Sequence, residues 1–198
     1  MASRVCLSGG DLDGFSRKVV GWELDRTLAG RLTVAALERA IENRQPPPGV
    51  VHHSDRGVQY ACEEYVTVLE RNRMVPSMSR PANPYDNASC ESFIKTLKRE
   101  EIYANKYENL EHLRANIEEF IDQYYNRQRL HSALGYRSPE EFEQRSDWLA
   151  AESRSATMEF FENNPNPKEG FYSAAGEGDS SAVPFPRPLL LLRDAKIL

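Results

Sequence analysis

Residues 50–57, Val50-Val51-His52-His53-Ser54-Asp55-Arg56-Gly57, run from a short apolar stretch straight into a polar turn with a glycine. A β-branched run closed by such a turn reads as a buried strand, and its acid then stands at the strand's end. In sheets built from alternating strands and helices, the carboxyl ends of strands are where sites form. The surroundings supply that alternation. Upstream, residues 17–24, RKVVGWEL, combine β-branched and aromatic side chains after the polar turn DGFSR and predict a strand. From Thr27 the period changes: Leu28, Leu32, Ala35, Ala36, Leu37, Ala40 and Ile41 recur at helical spacing, and Gln45-Pro46-Pro47-Pro48-Gly49 stops the helix. Downstream come a helical pattern at 61–72, a strand at 75–79 and a break at Pro81-Ala82-Asn83-Pro84. Two further helical stretches follow at 85–103 and 110–125. The second carries Leu110, Leu113, Ile117, Phe120, Ile121 and Tyr124 on one stripe, which is core packing. The fold class is α/β.

With 198 residues, 40% of them hydrophobic, the chain is long enough for one domain with a core and too short for two comfortable ones. Its longest apolar run, Leu189–Leu192, is far from the roughly 20 residues that cross a bilayer. The start, MASRVCLSGG, has no extended apolar region and does not read as a secretory signal, so a cytoplasmic location is expected. Cys6, Cys62 and Cys90 are odd in number and lack a CxxC pair, which predicts reduced thiols rather than a disulfide frame or a structural zinc. The net charge of −5 is unevenly spread, since eight acids and five bases lie from Asp147 onward. Binding to DNA depends on local patches, so the total does not exclude it. Beyond about Gln144, ENNPNPKEG, SAAGEGDSSA and VPFPRP lack either periodicity, and this predicts a disordered tail.

Asp55 and Glu91 form the strongest chemical pair, one at a predicted strand end and the other inside a predicted helix. Their flanking sequences sharpen the reading: HSDRGVQY around Asp55, NPYDNASCESFIKTLKREEIY around Glu91, and YYNRQRLHSALGYRSPEEF at 124–142. These resemble the second and third acids of the Asp, Asp, Glu triad, and the C-terminal signature, of the two-frame insertion-sequence transposases in the retroviral integrase superfamily. The resemblance implies a ribonuclease H-like integrase core over residues 12–144, with 1–11 and 145–198 unmatched. It also implies Asp55 and Glu91 as catalytic and metal-binding residues for magnesium or manganese. Hard cations of this kind take oxygen ligands, and two of them activate the attacking group and stabilise the leaving oxygen in phosphodiester cleavage and strand transfer. The implied partners are DNA at the element's ends and target, a second copy of the chain, and a full-length transposase or an upstream-frame helix-turn-helix protein. No membrane partner is implied.

Lys95 and Lys98 share a helix face with Glu91, four and seven residues on. In the family, lysines here touch DNA near the cleaved bond. An i,i+4 ion pair with a solvated lysine is the other reading. Arg127, Arg129 and Arg137, interleaved with Tyr125, His131 and Tyr136, suit phosphate and base contact or a solvated face equally. Asp86 before the Glu91 helix suits a cap. His52 and His53 are expected to be satisfied by hydrogen bonds within a buried strand rather than to bind metal.

In the family, a strand bearing the first acid precedes LDGFSRKVVGW by about twenty residues, and only eleven unrelated residues stand before Leu12 here. The core is therefore expected to lack its first strand, leaving the strand before Asp55 facing unpaired backbone groups at about 1–3 kcal/mol each. Asp13 matches a non-catalytic acid, and Asp11 has no counterpart. A transposase core is thus expected, with an inactive remnant that binds DNA or a full-length transposase as the alternative. A ribonuclease H-type nuclease would share the fold but leave the 124–142 ending unexplained.

Overall fold

A computed structural model describes residues 6–26, 30–80, 87–145, 189–192 and 195–196. Strands β1 (Cys6–Asp13) and β2 (Val19–Asp25) form an antiparallel hairpin, and the turn between them is locked by Asp13, whose Oδ1 accepts the N–H groups of Phe15 (2.8 Å) and Ser16 (3.0 Å). Helix α1 (Gly30–Arg44) returns the chain to β3 (Val51–Ser54). It ends where Gln45 takes a left-handed φ of 44° ahead of three prolines. A 3₁₀ turn (Val58–Ala61) and α2 (Glu63–Arg71) lead to β4 (Val75–Met78), parallel to β3. Then come α3 (Ala88–Leu97) and α4 (Leu110–Glu119), each running on into a π-helical turn, Lys98–Ile102 and Phe120–Tyr125. Residues 139–145 are helical.

The sheet order is β2-β1-β5-β3-β4, where β5 is Leu189–Leu192, and β6 (Ala195–Lys196) pairs with β1. Here the structure departs from the expectation of an empty place beside β3. Strand β5 lies parallel to β3 and antiparallel to β1, so the inner edge of β3 is paired by the chain's own C-terminal segment. Part of the expected tail is therefore strand, while 146–188 lie outside the described residues. The leucine run gave no alternation to read, but an uninterrupted apolar run is what a strand covered on both faces calls for. Strand β1 likewise starts at Cys6, inside the stretch that matched nothing in the sequence reading.

Helices cover both faces. On one side α3 and α4 pack Cys90, Phe93, Leu97, Leu113, Ile117 and Ile121 against Leu12, Val19, Trp22 and Leu24. On the other, α1 and α2 pack Leu37, Ala40, Tyr65 and Val68 against Val20 and Val50. Two compensating bulges set which hairpin residue faces which layer. Between Ser8↔Glu23 and Asp11↔Gly21, β1 advances three residues to β2's two, and between Asp11↔Gly21 and Leu12↔Val19 it advances one to β2's two. As a result Gly10 lies under Phe93 of α3, whereas Asp11 and Gly21 lie under Ala36 of α1.

Candidate metal and nucleic-acid site

Asp55 directly follows β3, at the carboxyl end of the parallel strands β3, β4 and β5. Its Oδ1 accepts the Gly57 N–H at 2.8 Å, which folds the turn back and holds the carboxylate half-buried. The ends of β3 and β4 are bolted together beneath it. Ser79 N–H donates to Ser54 O (2.9 Å), the Ser79 hydroxyl donates to the same carbonyl (3.3 Å), and Arg56 Nε donates to Ser79 O (2.9 Å). Arg56 stands within the motif read from the sequence, but its partner is 23 residues away, and nothing local announces the pairing.

Both neighbouring histidines serve the sheet, as expected. His53 places Nδ1 3.0 Å from Ser77 Oγ and Nε2 3.1 Å from Ser79 Oγ, so both ring nitrogens are engaged by β4 and the residue just after it. His52 is buried with Nε2 2.9 Å from the Tyr65 hydroxyl, and burial pushes its pKa down to about 4, keeping the ring neutral.

Glu91 occupies the first turn of α3 and is exposed, as is Lys95, while Cys90, Phe93, Ile94 and Leu97 are buried on the other side. Lys98 is half-buried where the helix passes into the π turn. The helix is seated by Gly10: a Cβ there would come 2.4 Å from the Phe93 ring, and the Cys90 thiol lies 3.7 Å from Gly10 O. Phe93 in turn meets Tyr125 edge to face, with centroids 4.9 Å apart. Because α3 packs against β1 and β5, Glu91 rides on the sheet whose next strand ends at Asp55. Asp86, read as a cap, lies outside the described residues; Asn87 precedes the helix and makes no side-chain cap hydrogen bond. Among the described residues no group of three His, Cys, Asp or Glu converges as a metal cluster. Carboxylates are the donors a hard divalent ion prefers, and in that respect Asp55 and Glu91 fit magnesium or manganese.

Of the two acids near the start of the chain, Asp13 is tied into the turn and an ion-pair network. Asp13 receives Arg44 through Nε (3.1 Å) and Nη2 (2.8 Å), and Arg44 also pairs with Glu143. Burial would lower the Arg44 pKa, but Glu143 and Asp13 outweigh it and raise it. Asp11 is fully buried beneath α1, across the sheet from the α3 layer.

The arginines sit differently from a free basic face. Arg127 Nε donates to Glu140 Oε2 (3.0 Å), and Arg129 pairs with Glu100 (3.6 Å) and lies 5.9 Å from the Tyr125 ring centroid. His131 packs edge to face on Tyr125 at 5.0 Å, its pKa lowered to about 4 by burial and by Arg129 and Arg17. The 124–142 ending works largely as a clasp. Asn126 donates to Val19 O (3.0 Å) and accepts from Val19 N–H (2.9 Å) across the β2 edge. Ser138 and Glu141 exchange 3.3 Å bonds at the head of the last helix, with Pro139 between them. Ser-x-x-Glu with proline in the first turn is a capping-box signature that sequence reading passed over.

Two family models described as integrase core domain match this chain, one over residues 11–84 and the other over 72–139. The transposase of insertion sequence element IS904 from Lactococcus lactis subsp. lactis (strain IL1403) is 41% identical over 133 residues, covering 67% of this chain and 53% of that protein. The insertion element IS600 uncharacterized 31 kDa protein of Shigella sonnei is 39% identical over 139 residues, 70% of this chain and 51% of its own. Transposase InsF for insertion sequence IS3A of Escherichia coli (strain K12) is 38% identical over 135 residues, 68% and 47% of the two chains. This chain thus spans about half the length of the curated relatives it matches. In solved structures, the integrase catalytic core domain of HTLV-2 in complex with magnesium superposes with a TM-score of 0.50 at 15% identity, over 66% of this chain and 80% of that one. A chain of the simian T-cell lymphotropic virus intasome, in complex with PP2A regulatory subunit B56 gamma, gives 0.51 at 18% identity over 66% and 45%. Sheet, helical layers and these likenesses define a ribonuclease H-like α/β domain. Within that class, residues 11–139 belong to the integrase-core family, in the branch of the insertion-sequence transposases.

Proposed function

We propose that this chain is a transposase core that cleaves and joins DNA at the ends of an insertion element, with Asp55 and Glu91 holding magnesium or manganese. The observation that carries the reading is the placement of two carboxylates on one scaffold. Asp55 stands at the carboxyl end of β3, and Glu91 lies on the exposed side of α3, which packs on β1 and on β5, the strand beside β3. A divalent ion bound there supplies activation of a water or 3′-hydroxyl and stabilisation of the departing 3′-oxygen. The chain's own residues do the positioning: the Gly57 N–H and the Ser54–Ser79 lock fix Asp55, and Phe93 over Gly10 fixes the helix of Glu91. Lys95 on α3 and Lys98, which opens the π turn after it, follow Glu91 and neutralise phosphates of the DNA. Arg127 and Arg129 join them only when phosphate displaces Glu140 and Glu100. The partners are the element's ends and target DNA, further copies of the chain, and a full-length transposase or an upstream-frame helix-turn-helix protein. The setting is the cytoplasm, and no helix among the described residues is long and apolar enough to cross a membrane.

The test is manganese- or magnesium-dependent nicking and strand transfer on the element's own end sequences. Asp55→Asn and Glu91→Gln are each expected to reduce both reactions by at least about 100-fold, as loss of a metal ligand should. Equal activity in the variants would sink the metal assignment. A second reading, DNA or transposase binding without catalysis, draws on the lack of a converging third donor among the described residues. End-DNA binding that survives with no nicking in the unaltered chain selects it.

A further inference from the structure

The hairpin β1–β2 and the pair β3–β4 are joined within the sheet through β5 alone among the described strands. β5 pairs with β1 at Leu12↔Leu191 and Asp13↔Leu190, and with β3 in four consecutive steps from Val51↔Leu189 to Ser54↔Leu192. β6 pairs with the other end of β1 at Cys6↔Lys196 and Leu7↔Ala195. We propose that the groove between β1 and β3 is a strand-acceptor site, and that β5, Leu189–Leu192 of the same molecule, is the closing strand that occupies it.

Three observations support one occupant. First, β5 pairs on both sides, antiparallel to β1 and parallel to β3, so one short extended segment satisfies the facing backbone groups of both strands. Second, Leu189–Leu192 is four residues of uninterrupted apolar sequence between Pro188 and Arg193, a pattern suited to a central strand with a helical layer on either face and unsuited to an edge. Third, α3 packs on both β1 and β5, so the closing strand supports the helix as well as joining the two halves of the sheet. The inference concerns backbone pairing and stands apart from the metal assignment.

Hydrogen exchange on the full-length, unaltered chain tests it directly. The amides of 189–192 are expected to exchange at least about 100-fold slower than those of an unstructured peptide of the same sequence, in step with those of 51–54. Fast, unprotected exchange at 189–192 would overturn the proposal. Successive strand amides point to opposite neighbours, so Leu190→Pro and Leu191→Pro remove pairing toward β1 in one case and β3 in the other. Each should lower the urea midpoint and speed exchange at 51–54, and a synthetic peptide of residues 187–198 should reverse both changes. Unchanged midpoints, or a peptide without effect on a folded variant, count against the proposal. If a variant fails to fold, the exchange pattern of the unaltered chain still decides. Light scattering run alongside assigns the donor: protection that appears only in a dimer overturns closure within one molecule and identifies strand exchange between copies.

Discussion

Gly10 shows how much a single missing side chain controls. A methyl group there would meet the Phe93 ring, which also packs edge to face with Tyr125, so the ring cannot give way without disturbing that contact. Gly10→Ala is expected to destabilise the protein by about 1–3 kcal/mol, the usual range for overpacking, and Phe93→Leu should recover part of it. A double-mutant cycle by urea unfolding measures the coupling, and simple additivity would show that the contact is slack. His52 supplies a pH signature. Its folded pKa of about 4 lies below the ordinary histidine value of 6.5, so the stability it contributes is complete above about 6.5. It is lost as the pH falls from 6.5 toward 4, where the unfolded chain takes up a proton that the folded chain refuses. His52→Gln should flatten the stability profile across that window, and an unchanged slope would place the proton uptake elsewhere. The family could be read from the residues that flank Asp55 and Glu91, and so could the hydrogen-bonded role of the two histidines. Gly10 could not, because the ring that requires a glycine there lies some eighty residues later in the chain.

Helix and strand identities were largely readable because their periods are strong, and the departures have local causes. The stripe along 110–125 predicts Tyr124 in the core, whereas Tyr125 is buried and Tyr124 is 39% exposed. The π turn explains the exchange. Asn126 N–H reaches back to Ile121 O, five residues, so one extra residue enters the turn and the inward position moves on by one. Helix-to-π transitions depend on what the helix packs against, and the sequence alone carries no clear sign of them. The 124–142 ending is the opposite case, since its wording marks the family while its bonds describe a clasp. Ser138→Ala should cost about 1 kcal/mol by removing the last helix's cap. Asn126→Ala should cost more, because it strips both the N–H and the carbonyl of Val19 of their partner at about 1–3 kcal/mol for each group left unsatisfied. Thermal melts of the two variants check the order, and equal or reversed losses would mean that the helix cap, not the strand edge, dominates the clasp.

At the level of the whole molecule, a metal that binds only the folded protein must also stabilise it. Magnesium is expected to raise the melting temperature of the unaltered chain and to leave Asp55→Asn unmoved. The substitution keeps the oxygen that accepts from Gly57, so the turn itself should survive. A rise of equal size in both would point to a cation site away from Asp55. The layered α/β architecture was legible from alternating periods, and the middle of the sheet was not, because its central strand comes from a run of leucines that no pattern links to β3. That origin sets an order of events during synthesis. β5 leaves the ribosome more than a hundred residues after β3. At about 5–20 residues per second the two halves of the sheet wait roughly 7–30 s for the piece that joins them. A nascent chain in that interval is expected to expose two facing strand edges with nothing between them, the kind of surface that invites chaperones and neighbouring chains on the same message.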